Sequence, residues 1–169
     1  MERVHNYRFL GVDITEDLTW GVNTTGLVKK AQQRLYFLRL LRKNNIPQKL
    51  LLSFYHCSID SILTYCLCVW FPSCTVALRK RFQGVIKAAQ KIIGCPLPSL
   101  EEVHSARCLK QSHAILKDSS HPGHKLFELL PSGKRFRSLK TRTNRLQNSF
   151  YPTAIKALNC CYQSSAHSL

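Results

Sequence analysis

The sequence predicts a mainly α protein: a small amino-terminal β-hairpin, a helical bundle, and a basic carboxy-terminal segment. Three observations carry this. Tyr7, Phe9, Val12 and Ile14 alternate around Gly11 at strand spacing. Apolar residues then recur at helical spacing from about residue 24 to residue 116. Finally, residues 134–158 hold seven basic side chains and no acid.

The hairpin reading rests on residues 7–20. A glycine between bulky strand formers marks a bulge or a close backbone approach. Thr15-Glu16-Asp17 is turn-like, and Leu18-Thr19-Trp20 follows it. Asn23-Thr24-Thr25 then offers a helix N-cap. Leu27, Ala31, Leu35, Leu38 and Leu41 form one face of a helix that ends at Asn44-Asn45 and Pro47. Lys29, Gln33 and Lys43 lie broadly on the other side.

Leu50–Phe71 contains one acid, Asp60, and no Lys or Arg. Its length suffices to span a bilayer, but a central aspartate costs about 2.5–3.5 kcal/mol there. A buried core helix is the reading, and a membrane-associated helical protein the alternative. A third helix over Thr75–Ile93 should end at Gly94 as a left-handed cap. Ser99-Leu-Glu-Glu102 fits a capping box for a helix running from Leu100 to about Leu116. Short helices are expected over Lys125–Leu130 and after Pro152, and Cys160–Leu169 reads as an unstructured tail. The domain division is therefore 1–22, 23–130, 131–159 and 160–169.

The chain of 169 residues carries 25 Lys+Arg against 9 Asp+Glu. Residues 1–22 have a net charge of 2 − 4 = −2, which leaves 23 − 5 = +18 on the other 147. Such an excess favours a polyanion: nucleic acid first, an anionic membrane surface second. The eight cysteines follow no apolar leader, and most lie in apolar helical stretches. Buried, reduced thiols in an intracellular protein, nuclear or cytoplasmic, are the expectation.

The sequence carries no phosphate loop, no nucleophile elbow, no His-x-Asp or His-x-Glu pair and no cluster of carboxylates. Cys66-x-Cys68 is too tight for a zinc pair, and His121-Pro-Gly-His124 reads as a loop histidine pair. No catalytic residue, metal, cofactor or small-molecule substrate is predicted. The strongest signal is Lys134, Arg135, Arg137, Lys140, Arg142 and Arg145 interleaved with Phe136, Leu139 and Phe150. Such cations neutralise phosphates, and aromatics can stack on bases. Lys29, Lys30, Arg34, Arg79, Lys80 and Arg81 extend the candidate surface.

Tyr7-Arg8-Phe9-Leu10-Gly11-Val12-Asp13-Ile14, followed by Leu18-Thr19-Trp20, resembles a stretch near the end of the reverse transcriptase region of non-LTR retrotransposons. Blocks in the same serial order extend the resemblance to about residue 159. They include Val28–Arg39, Ser61–Thr64, Val69-Trp70, Ala89–Gly94, Leu130–Arg135 and Asn148–Pro152. The likeness is to the carboxy-terminal part of LINE-type elements abundant in fish genomes. It implies a primer grip at Phe9, Leu10 and Gly11, then a thumb-like helical domain that holds a template–primer duplex, an RNA or RNA–DNA hybrid. The family's metal-binding palm aspartates and endonuclease are absent from the sequence, so the resemblance implies a non-catalytic remnant. A shorter stretch, Val28–Ile46, is similar in character to the amino-terminal basic helix of an AlkB-type tRNA-modifying enzyme. It implies a small basic RNA-binding accessory module, without the dioxygenase or methyltransferase activity whose signatures are missing.

Overall fold

The computed structural model describes residues 4–166 and is mainly helical, with one two-stranded antiparallel sheet at the amino end. Two compact units divide the chain inside one helix, at Val103 and His104.

In the first unit, β1 (Asn6–Phe9) pairs with β2 (Val12–Thr15), Phe9 opposite Val12 and Asn6 opposite Thr15. The connection is the two residues Leu10 and Gly11, with φ of 47° and 81°, so Gly11 makes the turn itself and is not a bulge within a strand, and Thr15-Glu16-Asp17 follows β2 instead of joining the strands. Two positive φ values in a two-residue loop make the turn whose twist matches paired strands. Glycine adopts this freely, whereas leucine is strained there. Every residue of β1 is exposed. The hairpin is nevertheless tied down: Val12 is buried, the Tyr65 hydroxyl donates to the Leu10 carbonyl at 2.7 Å, and the Asp13 N–H donates to Asn23 Oδ1 at 3.3 Å.

The last of these bonds explains a departure from the sequence reading. Helix α1 runs Gly21–Lys43, so Asn23-Thr24-Thr25 lies inside it rather than capping it. Asn23 is buried and spends its amide on β2, and the Thr24 hydroxyl donates back to the Trp20 carbonyl at 2.6 Å. The helix does end at Asn44-Asn45, where Asn45 has φ 57° and the Ile46 N–H reaches the Leu41 carbonyl.

The apolar stretch after Pro47 is not one helix. α2 (Gln48–Tyr55) passes into a π turn, His56–Asp60, then α3 (Ser61–Leu63). Cys66 has φ 49°, after which come α4 (Leu67–Trp70) and a 3₁₀ turn at Phe71–Ser73. The buried residues give the cause. Leu51, Tyr55, Ile59, Leu63 and Leu67 recur at every fourth position, all nearly inaccessible. A regular α-helix would rotate such a row about 40° per step away from the core. A wider turn at 56–60 and a break at 64–66 bring it back. By length and composition Gln48–Ser73 could cross a membrane, but its buried row faces the protein core.

α5 (Val76–Ile93) is capped by the Thr75 hydroxyl and stopped, as the sequence indicates, by Gly94 at φ 81°. α1 packs against α5 and the 48–63 segment. Trp70, Tyr55, Phe82, Leu38 and Ile86 lie at the centre of this core. α6 (Leu100–Lys117) starts with the expected capping box: the Ser99 N–H and hydroxyl both reach Glu102, and the Glu102 N–H donates to the Ser99 hydroxyl.

The second unit has its own core of Ile115, Phe127, Phe136, Ala154, Ile155 and Leu158. Lys125–Leu130, expected to be helical, holds only the end of a 3₁₀ turn, His124–Leu126, and then bridges from Leu129 to Phe136. α7 (Asn144–Gln147) and α8 (Phe150–Ala166) close the chain. The expected tail is therefore helical as far as Ala166, continuing a helix already anchored by Ala154, Ile155 and Leu158. Leu169 and its two predecessors lie outside the described residues. The Tyr151 ring packs on Gly123 so closely that any side chain at 123 would strike its hydroxyl.

Candidate nucleic-acid interface

The basic segment of the second unit is built on a tight turn. Pro131 presets the backbone, the Gly133 N–H donates to the Leu130 carbonyl at 2.8 Å, and Gly133 takes φ 66°. Two bonds hold the arms together: Leu130 N–H to Arg135 carbonyl at 2.8 Å and Arg137 N–H to Glu128 carbonyl at 2.7 Å. Asn159, from α8, then pins the turn from beneath. Its Oδ1 accepts from the Phe136 N–H at 2.8 Å and its Nδ2 donates to the Phe136 carbonyl at 3.1 Å. The amide thus stands in for a neighbouring β-strand.

Phe136 is buried, edge-on to Phe127 with ring centroids 6.2 Å apart. Phe150 is half-buried beside Tyr151. The interleaved aromatics of this segment are therefore core anchors and not stacking surfaces. Their burial turns Lys134, Arg135 and Arg137 outward, all exposed. Lys140, Arg142 and Arg145 are exposed as well. Arg137 lies 3.6 Å from Glu128, with both side chains more than half exposed, a pair worth about 0–1 kcal/mol and easily exchanged for a phosphate.

On the first unit, Lys29, Lys30 and Arg34 are exposed along α1, and Lys80 and Arg81 along α5. Arg79 does not join them. Its guanidinium bonds Glu101 at 2.9 Å and the Pro72 carbonyl at 3.2 Å, and sits 4.8 Å from the centre of the Phe71 ring. It closes one side of a cleft lined by Phe71, Val76, Phe82 and Leu100.

The structure adds two features. Leu10, at the hairpin tip, is 73% exposed despite its strained backbone, with Phe9 exposed beside it. Tyr36, Phe37 and Leu40 are exposed on the outer side of α1, opposite the buried stripe. The signal for these was present in the sequence, because positions 36 and 37 both fall outside the 27–31–35–38 row.

The acids near the surface are mostly engaged by local structure. Hydroxyls of Thr15 and Thr19 hold the Asp17 carboxyl below its usual range, as Ser99 does for Glu102 and Ser120 for Asp118. Burial pushes the Cys74 thiol up to about 11, partly opposed by Arg79, and raises the Tyr55 phenol with help from Asp60. Of the cysteines in apolar stretches, Cys108 is buried as expected, Cys68 and Cys95 are half-buried, and Cys57 and Cys66 are exposed; Cys74 is buried as well. His104 Nε2 and Cys108 Sγ lie 3.3 Å apart, one turn apart on α6. His121 Nδ1 accepts from the Gly123 N–H at 3.0 Å, which places it in a loop turn.

Residues 20–61 match a family model described as "Alkylated DNA repair protein alkB homolog 8, N-terminal". The match covers about a quarter of the chain: α1, α2 and the π turn. No curated protein and no solved structure shows a significant match.

Proposed function

We propose that the chain is a nucleic-acid-binding module with no chemistry of its own, an RNA-binding accessory whose central element is α1. One observation carries this reading. α1 holds six Lys and Arg side chains, at 29, 30, 34, 39, 42 and 43, all exposed, and no acid. It fills more than half of the segment that is similar to the family model, and that family is named for a DNA repair protein. The pinned basic turn at 129–137 supplies a second cationic surface on the second unit. Such surfaces contact phosphates and position a strand without reading its sequence.

A second, more specific reading is the primer grip and thumb of a non-LTR reverse transcriptase. Its support is the tight turn at Leu10-Gly11, an exposed tip tied by Tyr65 to the helices that follow it.

A titration separates the two. The full chain is tested against an RNA–DNA hybrid with a recessed primer end, matched duplex DNA and single-stranded RNA, each at several salt concentrations. Affinity that falls steeply with salt supports nucleic-acid binding, with a log–log slope of about −0.9 per phosphate neutralised on duplex. Preference for the hybrid supports the thumb. Equal binding to all three excludes the thumb and keeps the accessory module, and binding to none refutes both.

A further inference from the structure

We propose that the outer side of α1 is a stacking platform for unpaired bases, so that the ligand on the first unit is a single-stranded stretch of RNA or DNA. This rests on the nucleic-acid-binding reading above and specifies its ligand. The argument begins with what a solvent-facing helix side should carry, which is polar residues. Here Tyr36 is 61% exposed, Phe37 48% and Leu40 46%. Neither ring belongs to the core, because at 100° per residue Tyr36 lies about 160° round the helix from the buried Leu38. The two rings touch each other, centroids 5.6 Å apart at 74°.

Charge decides what covers them. The apolar group is only three side chains wide, and cations surround it: Lys29 and Arg34 before it, Arg39 between its members, Arg42 and Lys43 after it. A second copy of the chain would bring six like charges against six, with no acid on either helix to offset them. A polyanion meets no such repulsion. From Lys29 to Lys43 the ridge runs about 21 Å, long enough for several nucleotides. Rings require exposed base faces, which a duplex buries in its own stack and a single strand presents. The same stacking tolerates any base, so this face binds strands without sequence preference.

The test uses the full chain and oligonucleotides of about 12 residues, RNA and DNA, carrying 2-aminopurine, whose emission is quenched by stacking. Y36A and F37A are each expected to weaken single-strand binding about tenfold and to reduce the quenching. Y36F should bind like the parent, and affinity for a blunt duplex should stay unchanged in all three. The K134A/R135A/R137A variant serves as the comparison. If Y36A/F37A binds single strands as the parent does while the triple variant is weakened, stacking is refuted and nucleic-acid binding stands. If the parent binds no oligonucleotide, both fall. If Y36A/F37A instead loses only self-association, or only binding to anionic vesicles of phosphatidylserine and phosphatidylcholine, the face belongs to a dimer or a membrane and the proposal is overturned.

Discussion

Asn159→Ala removes both hydrogen bonds by which α8 pins the basic turn, without touching a single charge. The two bonds, at 2.8 and 3.1 Å, go to the backbone of Phe136, a residue 4% exposed. Each contributes about 1 kcal/mol net, and an orphaned buried partner costs about 1–3 kcal/mol. A loss of about 2–4 kcal/mol follows, large beside the roughly 3–10 kcal/mol that a unit of this size possesses. Urea unfolding reads it. With a slope near 1 kcal/mol per molar, the midpoint of the second unit should fall by about 2 M or more. Trp20 and Trp70 both lie in the first unit, so tryptophan fluorescence should keep its parental transition while circular dichroism loses part of its own. Oligonucleotide binding should weaken as well, because Lys134, Arg135 and Arg137 lose their common scaffold. An unchanged circular dichroism transition would refute the pinning argument. So would recovery in Asn159→Asp, which retains an acceptor but has no donor for the Phe136 carbonyl.

Three other outcomes follow from the geometry. Leu10→Asn should stabilise the hairpin by about 1 kcal/mol, since asparagine tolerates positive φ better than leucine; amide exchange at Phe9 and Val12 should slow accordingly, and faster exchange would contradict the strain. Arg79→Ala should cost about 1 kcal/mol of stability yet leave the salt dependence of binding unchanged, whereas Lys80→Ala/Arg81→Ala should lower the duplex slope by about 2. Alkaline pH should destabilise the first unit. The unfolded Cys74 thiol ionises near pH 9, while the folded one holds its proton to about 11, so its stabilisation is complete below pH 9 and lost between those values. Tyr55 acts in the same sense from about pH 10 upward. Thermal melts of Cys74→Ala and Tyr55→Phe should each show a shallower fall than the parent across that range.

Local grammar was legible without coordinates. The stop at Asn44-Asn45, the Gly94 stop and the Ser99–Glu102 capping box all rest on contacts between residues within a few positions of one another, so the chain itself records them. The charge asymmetry was legible for the same reason, since net charge needs no fold. What failed was whatever depended on a distant partner. Asn23 resembled a cap until β2 claimed its amide, and Arg79 resembled a phosphate ligand until Glu101 and the Pro72 carbonyl occupied it. The every-fourth row from Leu51 to Leu67 was visible as letters. Only packing against α1 and α5 decided that the helix must widen at 56–60 and break at Cys66.

The aromatics draw the line most clearly. Composition set the number of rings near cations, and burial then divided them by role. Phe136 went inward against Phe127, because Asn159 could satisfy its backbone there. Tyr36 and Phe37 stayed outward, because the opposite side of α1 already filled the core with Leu27, Ala31, Leu35 and Leu38. Sequence alone fixes periodicity, caps and charge, which are properties of neighbouring residues. Which face is buried, and so which side chains remain free to meet a ligand, is set only when the elements compete for one interior.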